Sequence, residues 1–290
     1  MRSMVRDIRF AVYLSLASSL VFFLLVATTN ASGNSNEICS NGYSILKDLS
    51  YCDKQECSGD LYLPKQAQAK LRSAVVFVHG GGWEGGDKKD DSVMAEALAD
   101  NGFVVFNINY RLLSAGGNFP ADVVDVREAI TFLADHSRNY GIDRKKIACM
   151  GTSAGGHLAL MAAYVPGQYI CRASEAIDCP PVRAVVSWSG PTDLNSLRGG
   201  LIDRYLANAG AEAYKKASPI SFVSTAVPTL LVHGDSDDLV PVSQSKRLYL
   251  ALQSAHKDAE YLELKGEGHG FEAGGAMAFD KTIKFLKAHL

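Results

Sequence analysis

The residues best suited to do chemistry lie in a short glycine-rich segment, GTSAGGH, at positions 151–157. Ser153 lies between Gly151 and Gly155, each two positions away, and the segment follows the apolar run Lys-Ile-Ala-Cys-Met. Glycines this close allow a backbone turn too sharp for residues that carry a Cβ atom. A serine on a sharp turn between a strand and a helix can act as a nucleophile, whereas an ordinary glycine-rich turn has the same composition. The alanine-rich, helix-forming GHLALMAAY that follows favours the nucleophile.

A nucleophilic serine requires a base, and the base requires a group that orients it. Of seven histidines, His269 lies in the loop GEGHGF after the last predicted strand, where an exposed imidazole could reach Ser153. The segment HGDSDDLVP at 233–241 offers Asp235, Asp237 and Asp238 as the carboxylate. Residue chemistry alone leaves these three open. The chain order serine, aspartate, histidine matches one known triad order.

Attack on a carbonyl group also creates a negatively charged oxygen that must be stabilised. The segment HGGGW at 79–83 follows an apolar run and presents glycine amides that no side chain obstructs. We expect the amides of Gly81 and Gly82, with that of Ala154 after the nucleophile, to form an oxyanion hole. A phosphate-binding loop is disfavoured because no G-x-x-x-x-G-K-[ST] motif occurs.

The strands and helices that must position these groups alternate along the sequence. The predicted strands are 73–80, 103–110, 146–151, 183–190, 228–234 and 259–266. The predicted helices are 90–101, 120–139, 154–164, 243–255 and 276–289. Continuous apolar strands separated by helices predict an α/β fold with a mostly parallel central sheet and helices on both faces. We expect one domain over 32–290, in which 191–227 could form a small cap.

Composition narrows the classes of partner. The chain has 290 residues, 47% of them hydrophobic and 21% charged, with a formal net charge of −2. Without a basic excess, nucleic acid is not an expected partner. The partner expected for the site described above is a small-molecule substrate. Cysteine and histidine spacings resemble no zinc site, so we predict no metal ligands and no cofactor. The oligomeric state is left open.

The first 31 residues have the pattern of a secretory signal peptide. Three arginines precede the uncharged apolar run 10–26, and ATTNAS then supplies small residues for cleavage near Ala31. We therefore expect a secreted or periplasmic protein that keeps no stable membrane partner after cleavage. The alternative is a membrane anchor formed by an uncleaved segment, because the run is near the minimum length that spans a bilayer.

Export would make disulfide bonds plausible among the six cysteines. Cys171 and Cys179 flank a short polar stretch and are the favoured pair, whereas Cys149 in a predicted strand should be a buried free thiol. Cys39, Cys52 and Cys57 cluster nearer the amino terminus, so the full connectivity stays open.

Taken in order along the chain, these motifs resemble the α/β-hydrolase superfamily. The similarity is to its HGGG-type carboxylesterase and lipase group, including acetyl-xylan and feruloyl esterase-like proteins and kynurenine formamidase-like amidases. The motifs that carry it are DLYLP at 60–64, HGGGW at 79–83, NYRL at 109–112, FPADVVDV at 119–126, GTSAGGH at 151–157, HGDSDDLVP at 233–241 and GHGF at 268–271.

The resemblance implies a triad of Ser153, Asp237 and His269, since the acid in similar enzymes lies four residues beyond the histidine of H-G-x-x-D-x-x-V-P. It implies hydrolysis of a small or short-acyl carboxylic ester through an acyl-enzyme intermediate. Trp83 and Phe119 are candidate pocket residues. The alternatives are an amidase that uses the same triad and a catalytically silent binding module built on the same fold.

Overall fold

The computed structural model describes residues 37–39, 42–65, 70–166, 182–207 and 209–290. Its strands are β1 Glu37–Cys39, β2 Tyr43–Ser50, β3 Ser58–Pro64, β4 Arg72–Val78, β5 Val104–Ile108, β6 Ile142–Thr152, β7 Ala184–Trp188, β8 Thr229–Gly234 and β9 Ala259–Leu264. They form one sheet in the order β1-β2-β3-β5-β4-β6-β7-β8-β9. The pairs β1-β2, β2-β3 and β3-β5 are antiparallel. The five remaining pairs, from β5-β4 to β8-β9, are parallel.

The parallel strands are apolar throughout because helices cover both faces of the sheet. The α-helices are α1 Ser92–Asp100, α2 Ala121–Asp135, α3 Ser137–Tyr140, α4 Ala154–Tyr164, α5 Gly200–Tyr205, α6 Ala211–Lys216, α7 Ser243–Ser254 and α8 Gly275–His289. On β4, Val75 and Phe77 face the apolar core shared with α1 and α8, while Val76 and Val78 face the core shared with α2, α4 and α7. This two-sided burial confirms the predicted α/β class.

The sheet brings the candidate motifs to one edge. The carboxyl ends of parallel strands lie together, and loops there carry function in open α/β sheets. HGGGW follows β4, Ser153 follows β6, Asp237 follows β8 and His269 follows β9. The fold therefore gathers at one edge four segments that are far apart in sequence.

Two predicted elements differ from the structure by more than two residues at one end. The helix expected over 120–139 is divided into α2 and α3 at His136, whose backbone φ and ψ of −92° and 10° leave the helical range. The strand expected at 146–151 begins earlier, at Ile142. Its first residues were not predicted because most of them are charged and largely exposed, so they do not belong to the apolar run. The antiparallel strands β1 to β3 were not predicted at all.

The segment predicted as a possible cap contains the short helices α5 and α6, flanked by 3-10 helices at Leu194–Leu197 and Pro219–Thr225. Its apolar side chains join the core that also contains α2 and α4. Tyr205 is fully buried there. Part of this segment therefore belongs to the packed body of the domain.

Cys52 and Cys57 form a disulfide bond with a Cα–Cα distance of 5.5 Å. Cys149 is a buried free thiol, as predicted, and burial raises its pKa to about 12. The predicted signal peptide and the favoured Cys171–Cys179 pair lie outside the described residues. Among the residues that are described, no helix has both the length and the apolar character to cross a bilayer.

Candidate active site

Ser153 occupies a strained turn between β6 and α4. Its φ of 52° and ψ of −120° lie outside the conformations that residues with a Cβ atom normally adopt. The Ser153 amide donates a 2.7 Å hydrogen bond to the Trp188 carbonyl on β7, which holds the turn against the sheet. Glycine is required on both sides: a Cβ at Gly151 would lie 2.3 Å from the Gly155 carbonyl oxygen, and one at Gly155 would lie 2.1 Å from that of Val78.

The imidazole of His269 lies between the serine and an aspartate. Its Nε2 atom is 2.8 Å from Ser153 Oγ, and its Nδ1 atom is 2.7 Å from Asp237 Oδ2. A carboxylate only accepts hydrogen bonds, so the Nδ1 proton points to Asp237 and Nε2 is free to accept the serine proton. This is the arrangement in which a histidine acts as a general base.

Asp237, of the three aspartates left open, is the one beside His269. Its carboxylate is buried, and Oδ1 accepts the amides of Leu239 and Val240 at 2.9 and 2.8 Å. Burial opposes ionisation of the carboxyl, but hydrogen bonds from His233, His269 and Val240 outweigh it and hold its pKa well below the ordinary value. Asp238 is exposed instead.

The third aspartate has partners away from the triad. Asp235 accepts hydrogen bonds from the Ser236 hydroxyl and the Gly266 amide. It therefore supports the loop rather than the imidazole.

The glycine loop after β4 lies directly against Ser153. A Cβ placed on Gly80 would be 3.3 Å from Ser153 Cβ. Gly81 and Gly82 have φ values of 111° and 62°, which favour glycine, and the Gly81 carbonyl closes the turn by accepting the amides of Glu84 and Gly85. Within the described part of the chain, the amides of Gly81, Gly82 and Ala154 donate to no protein acceptor.

The two predicted pocket residues both contact the cap segment. The Trp83 residue is only 2% exposed. Its ring stacks on that of Tyr205 with the centroids 4.3 Å apart, and it lies nearly perpendicular to the His157 ring with the centroids 5.3 Å apart. Phe119 is half-buried, and its amide donates to the Tyr205 carbonyl. Trp83 is thus part of a buried wall behind the glycine loop, and the assignment of both residues to the substrate pocket stays a prediction.

A buried carboxyl belongs to this wall. The Tyr205 hydroxyl donates to Asp122 Oδ1 at 3.3 Å, and the Val123 amide donates to the same oxygen at 2.8 Å. Asp122 is fully buried, and burial, aided by the nearby charge of Asp125, raises its pKa to about 8 despite these hydrogen bonds. At neutral pH the Asp122 side chain is therefore mostly protonated.

The sequence analysis missed two further polar residues near the triad, His233 and Ser245. His233 Nε2 lies 3.1 Å from Asp237 Oδ2, and His233 Nδ1 lies 2.7 Å from Ser245 Oγ. The motif H-G-x-x-D contains His233, and its four-residue spacing from Asp237 was the only available signal. The contact with Ser245 depends on how α7 packs on β8.

Comparisons with known proteins identify the family. The BD-FAE family model matches residues 59–252. Esterase LipC of Mycobacterium tuberculosis is 31% identical over 230 residues, which cover 73% of this chain and 56% of LipC. The isoprenylcysteine alpha-carbonyl methylesterase ICME of Arabidopsis thaliana is 29% identical over 248 residues, covering 78% and 56%. The chain spans about half the length of the curated relatives it matches.

Solved structures show the same architecture. A truncated form of a carbohydrate esterase from gut microbiota superimposes with a TM-score of 0.74 at 25% identity, covering 87% of this chain and 99% of that one. The esterase Est2 of Thermogutta terrifontis gives a TM-score of 0.71 at 26% identity, covering 86% and 91%. The fold and the site define an α/β-hydrolase of the carboxylesterase group. Within that group the chain belongs to the BD-FAE family.

Proposed function

We propose that this protein is a serine carboxylic ester hydrolase. The observation that carries the proposal is the continuous contact from Ser153 Oγ through the His269 imidazole to the Asp237 carboxylate. Beside it lie backbone amides that have no acceptor among the residues the structure describes. The esterase names of the related proteins support the same reaction. Ser153 is the nucleophile, His269 the general base and acid, and Asp237 the orienting carboxylate.

The proposed reaction has two steps. Ser153 Oγ attacks the ester carbonyl carbon as its proton passes to His269 Nε2, and the amides of Gly81, Gly82 and Ala154 stabilise the oxyanion. Collapse of the tetrahedral intermediate breaks the bond to the alcohol, which takes the proton from His269 and leaves an acyl-serine. Water then attacks the acyl-serine with His269 again as base, which releases the carboxylic acid and restores Ser153.

Small or short-acyl esters are the proposed substrates. Structures of the Thermogutta terrifontis esterase are described as propionate-bound and butyrate-bound. In this protein, a Cβ on Gly82 would lie 3.0 Å from the Cδ2 atom of Leu201 on α5, so the cap leaves little room over this part of the glycine loop. The carbohydrate esterase neighbour makes acetylated or feruloylated sugars further candidates for the alcohol half.

The direct test is hydrolysis of p-nitrophenyl acetate by the purified protein. We expect turnover in the wild type and a loss on the order of 10⁴-fold or more in kcat for Ser153→Ala. The matched control is Ser236→Ala, because Ser236 is an exposed serine near the triad whose hydroxyl donates to Asp235. Equal rates in Ser153→Ala and wild type would refute the assignment of the nucleophile.

The same preparation distinguishes the alternative functions. A matched pair of an aryl ester and an aryl formamide tests whether the triad prefers esters, and we expect the ester to react with the higher kcat/KM. A preference for the formamide would make the protein an amidase. A folded wild type that hydrolyses neither compound would indicate a silent binding module.

We also propose export with removal of residues 1–31, on the basis of the charged start, the apolar run and the small residues that follow. Expression of the full chain in a bacterial host and mass determination of the mature amino terminus test this proposal. The expected mature chain starts at residue 32 and is found outside the cytoplasm. An intact amino terminus in the membrane fraction would support the anchor instead.

A further inference from the structure

A second imidazole contacts the carboxylate of the proposed triad. His233, near the end of β8, is fully buried, and its Nε2 atom lies 3.1 Å from Asp237 Oδ2 and 2.8 Å from the Val240 carbonyl oxygen. Its Nδ1 atom lies 2.7 Å from the hydroxyl of Ser245 on α7, which is also fully buried. Asp237 Oδ2 therefore lies between two imidazoles, those of His233 and His269.

The partners of His233 define its tautomer. A carboxylate and a carbonyl oxygen can only accept, so the Nε2 atom of His233 carries the proton and shares it between Asp237 and Val240. A neutral ring then has a lone pair on Nδ1, and the Ser245 hydroxyl donates to it. All the polar atoms of a buried neutral imidazole are satisfied in this arrangement, which is the condition for burying them at low free-energy cost.

We propose that His233 is a positioning residue for the triad, with its ring held in place by the hydroxyl of Ser245. The inference rests on the proposed function, because it assigns His233 the task of orienting Asp237 toward His269. Among the contacts of the described residues, none joins His233 to Ser153. Any effect of His233 on the reaction therefore passes through the Asp237 carboxylate.

The geometry explains why Asp237 requires this second donor. The amides of Leu239 and Val240 hold Oδ1, and His233 approaches Oδ2 in addition to His269. Rotation of the carboxylate away from His269 would break several of these hydrogen bonds at once. The bond from His233 to the Val240 carbonyl also ties together the loop that carries Asp237. His233 thus fixes both the angle of the carboxylate and the path of its loop.

The kinetic test compares three variants at His233 and Ser245. His233→Leu removes the donor, and we expect kcat to fall by about tenfold to a hundredfold with little change in KM, the usual effect of losing a hydrogen bond to a charged group. His233→Gln places an amide N–H near the original Nε2 position and should recover most of the activity. Ser245→Ala should give a smaller loss in the same direction. His289→Leu, on α8 and bound to Asp258, is the control histidine.

A double-mutant cycle separates positioning from general damage to the fold. If His233 acts through the carboxylate, His233→Leu should cost little in an Asp237→Asn background. Thermal melting of each variant identifies any that fail to fold. An unchanged kcat in folded His233→Leu, an equal loss in both backgrounds, or a Gln variant as impaired as Leu would overturn the proposal.

A spectroscopic readout does not require turnover. The proton on His269 Nδ1, held between imidazole and carboxylate, should give a far-downfield NMR signal that is assigned by its loss in His269→Ala. We expect this signal in the wild type and in His233→Gln, and broadening or loss in His233→Leu. A signal that is unchanged in His233→Leu would contradict the proposal even if the wild type hydrolyses no ester. A silent wild type would, by contrast, overturn the proposed function alone.

Discussion

At the scale of single residues, the site combines a serine on a strained turn with a carboxylate held in its charged form. Ser153 has a positive φ, and the backbone around it fits only because Gly151 and Gly155, two positions away on either side, lack a Cβ atom. Asp237 is buried yet has a pKa well below its ordinary value, because hydrogen-bond donors surround it. His269 therefore lies between a serine hydroxyl held in place by its backbone and a carboxylate that stays negatively charged.

The choice between the adjacent aspartates can be tested by two matched substitutions. Asp237→Asn should lower kcat by roughly 10⁴-fold, because the amide favours the wrong histidine tautomer. Asp238→Asn changes an exposed side chain one position away and should leave kcat nearly unchanged. Steady-state hydrolysis of p-nitrophenyl acetate measures both. The opposite ranking would move the acid to Asp238.

The buried Asp122 predicts a dependence of stability on pH. Its pKa is about 8 in the folded protein, compared with an ordinary value of 3.8, so between these values the folded chain holds a proton that the unfolded chain releases. Its contribution to stability is therefore lost as pH rises through this range. From about pH 5 to about pH 8.5, we expect Asp122 to reduce the unfolding free energy by about 3–4 kcal/mol.

Asp122→Asn isolates this effect, since the amide stays neutral and keeps an oxygen that can accept from Tyr205 and Val123. Urea unfolding at the two pH values should show a smaller fall in stability for the variant than for the wild type. The same fall in both proteins would show that Asp122 does not titrate as proposed.

At the scale of secondary-structure elements, α5 limits the space beside the glycine loop. Leu201 lies next to Gly82, so Leu201→Ala should open room for a longer acyl chain. We expect the ratio of kcat/KM for p-nitrophenyl octanoate over acetate to rise about tenfold, within the range for changes of pocket size. Leu250→Ala, an exposed leucine on α7, is the control. If both variants keep the wild-type ratio, α5 does not border the acyl site.

The parallel part of the sheet could be predicted because its strands are buried on both faces and read as continuous apolar runs. Strand β2 was missed because only its first residues include buried positions, and its second half is half-buried or exposed and carries charged side chains, so it has no continuous apolar run. The short helix α5 has too few residues for a clear periodic pattern. Its position depends on tertiary contacts such as the stacking of Tyr205 on Trp83.

The candidate site was predictable to a similar degree. Ser153 and His269 lie in short motifs at the ends of predicted strands, so local sequence was enough to select them. Choosing Asp237 over its neighbours required the resemblance, and the structure then placed its carboxylate beside His269. His233 was missed because its contact with Ser245 joins β8 to α7, and no local pattern records that packing.

At the scale of the whole molecule, the disulfide bond links the fold to the proposed export. Disulfides persist in oxidising compartments, and Cys52–Cys57 closes a short loop after β2. The double variant Cys52→Ser/Cys57→Ser should lower the unfolding free energy by about 2 kcal/mol, the chain-entropy value for so short a loop. Urea unfolding measures the change. Unfolding curves that coincide would show that the bond contributes nothing to stability.

The central claim is that Ser153 is the activated nucleophile, and covalent labelling tests it most directly. After treatment of the folded protein with a serine-reactive organophosphate, peptide mass spectrometry should find one adduct, on Ser153, that forms much more slowly in His269→Ala. An adduct on another residue, or none on a folded wild-type protein, would contradict the account.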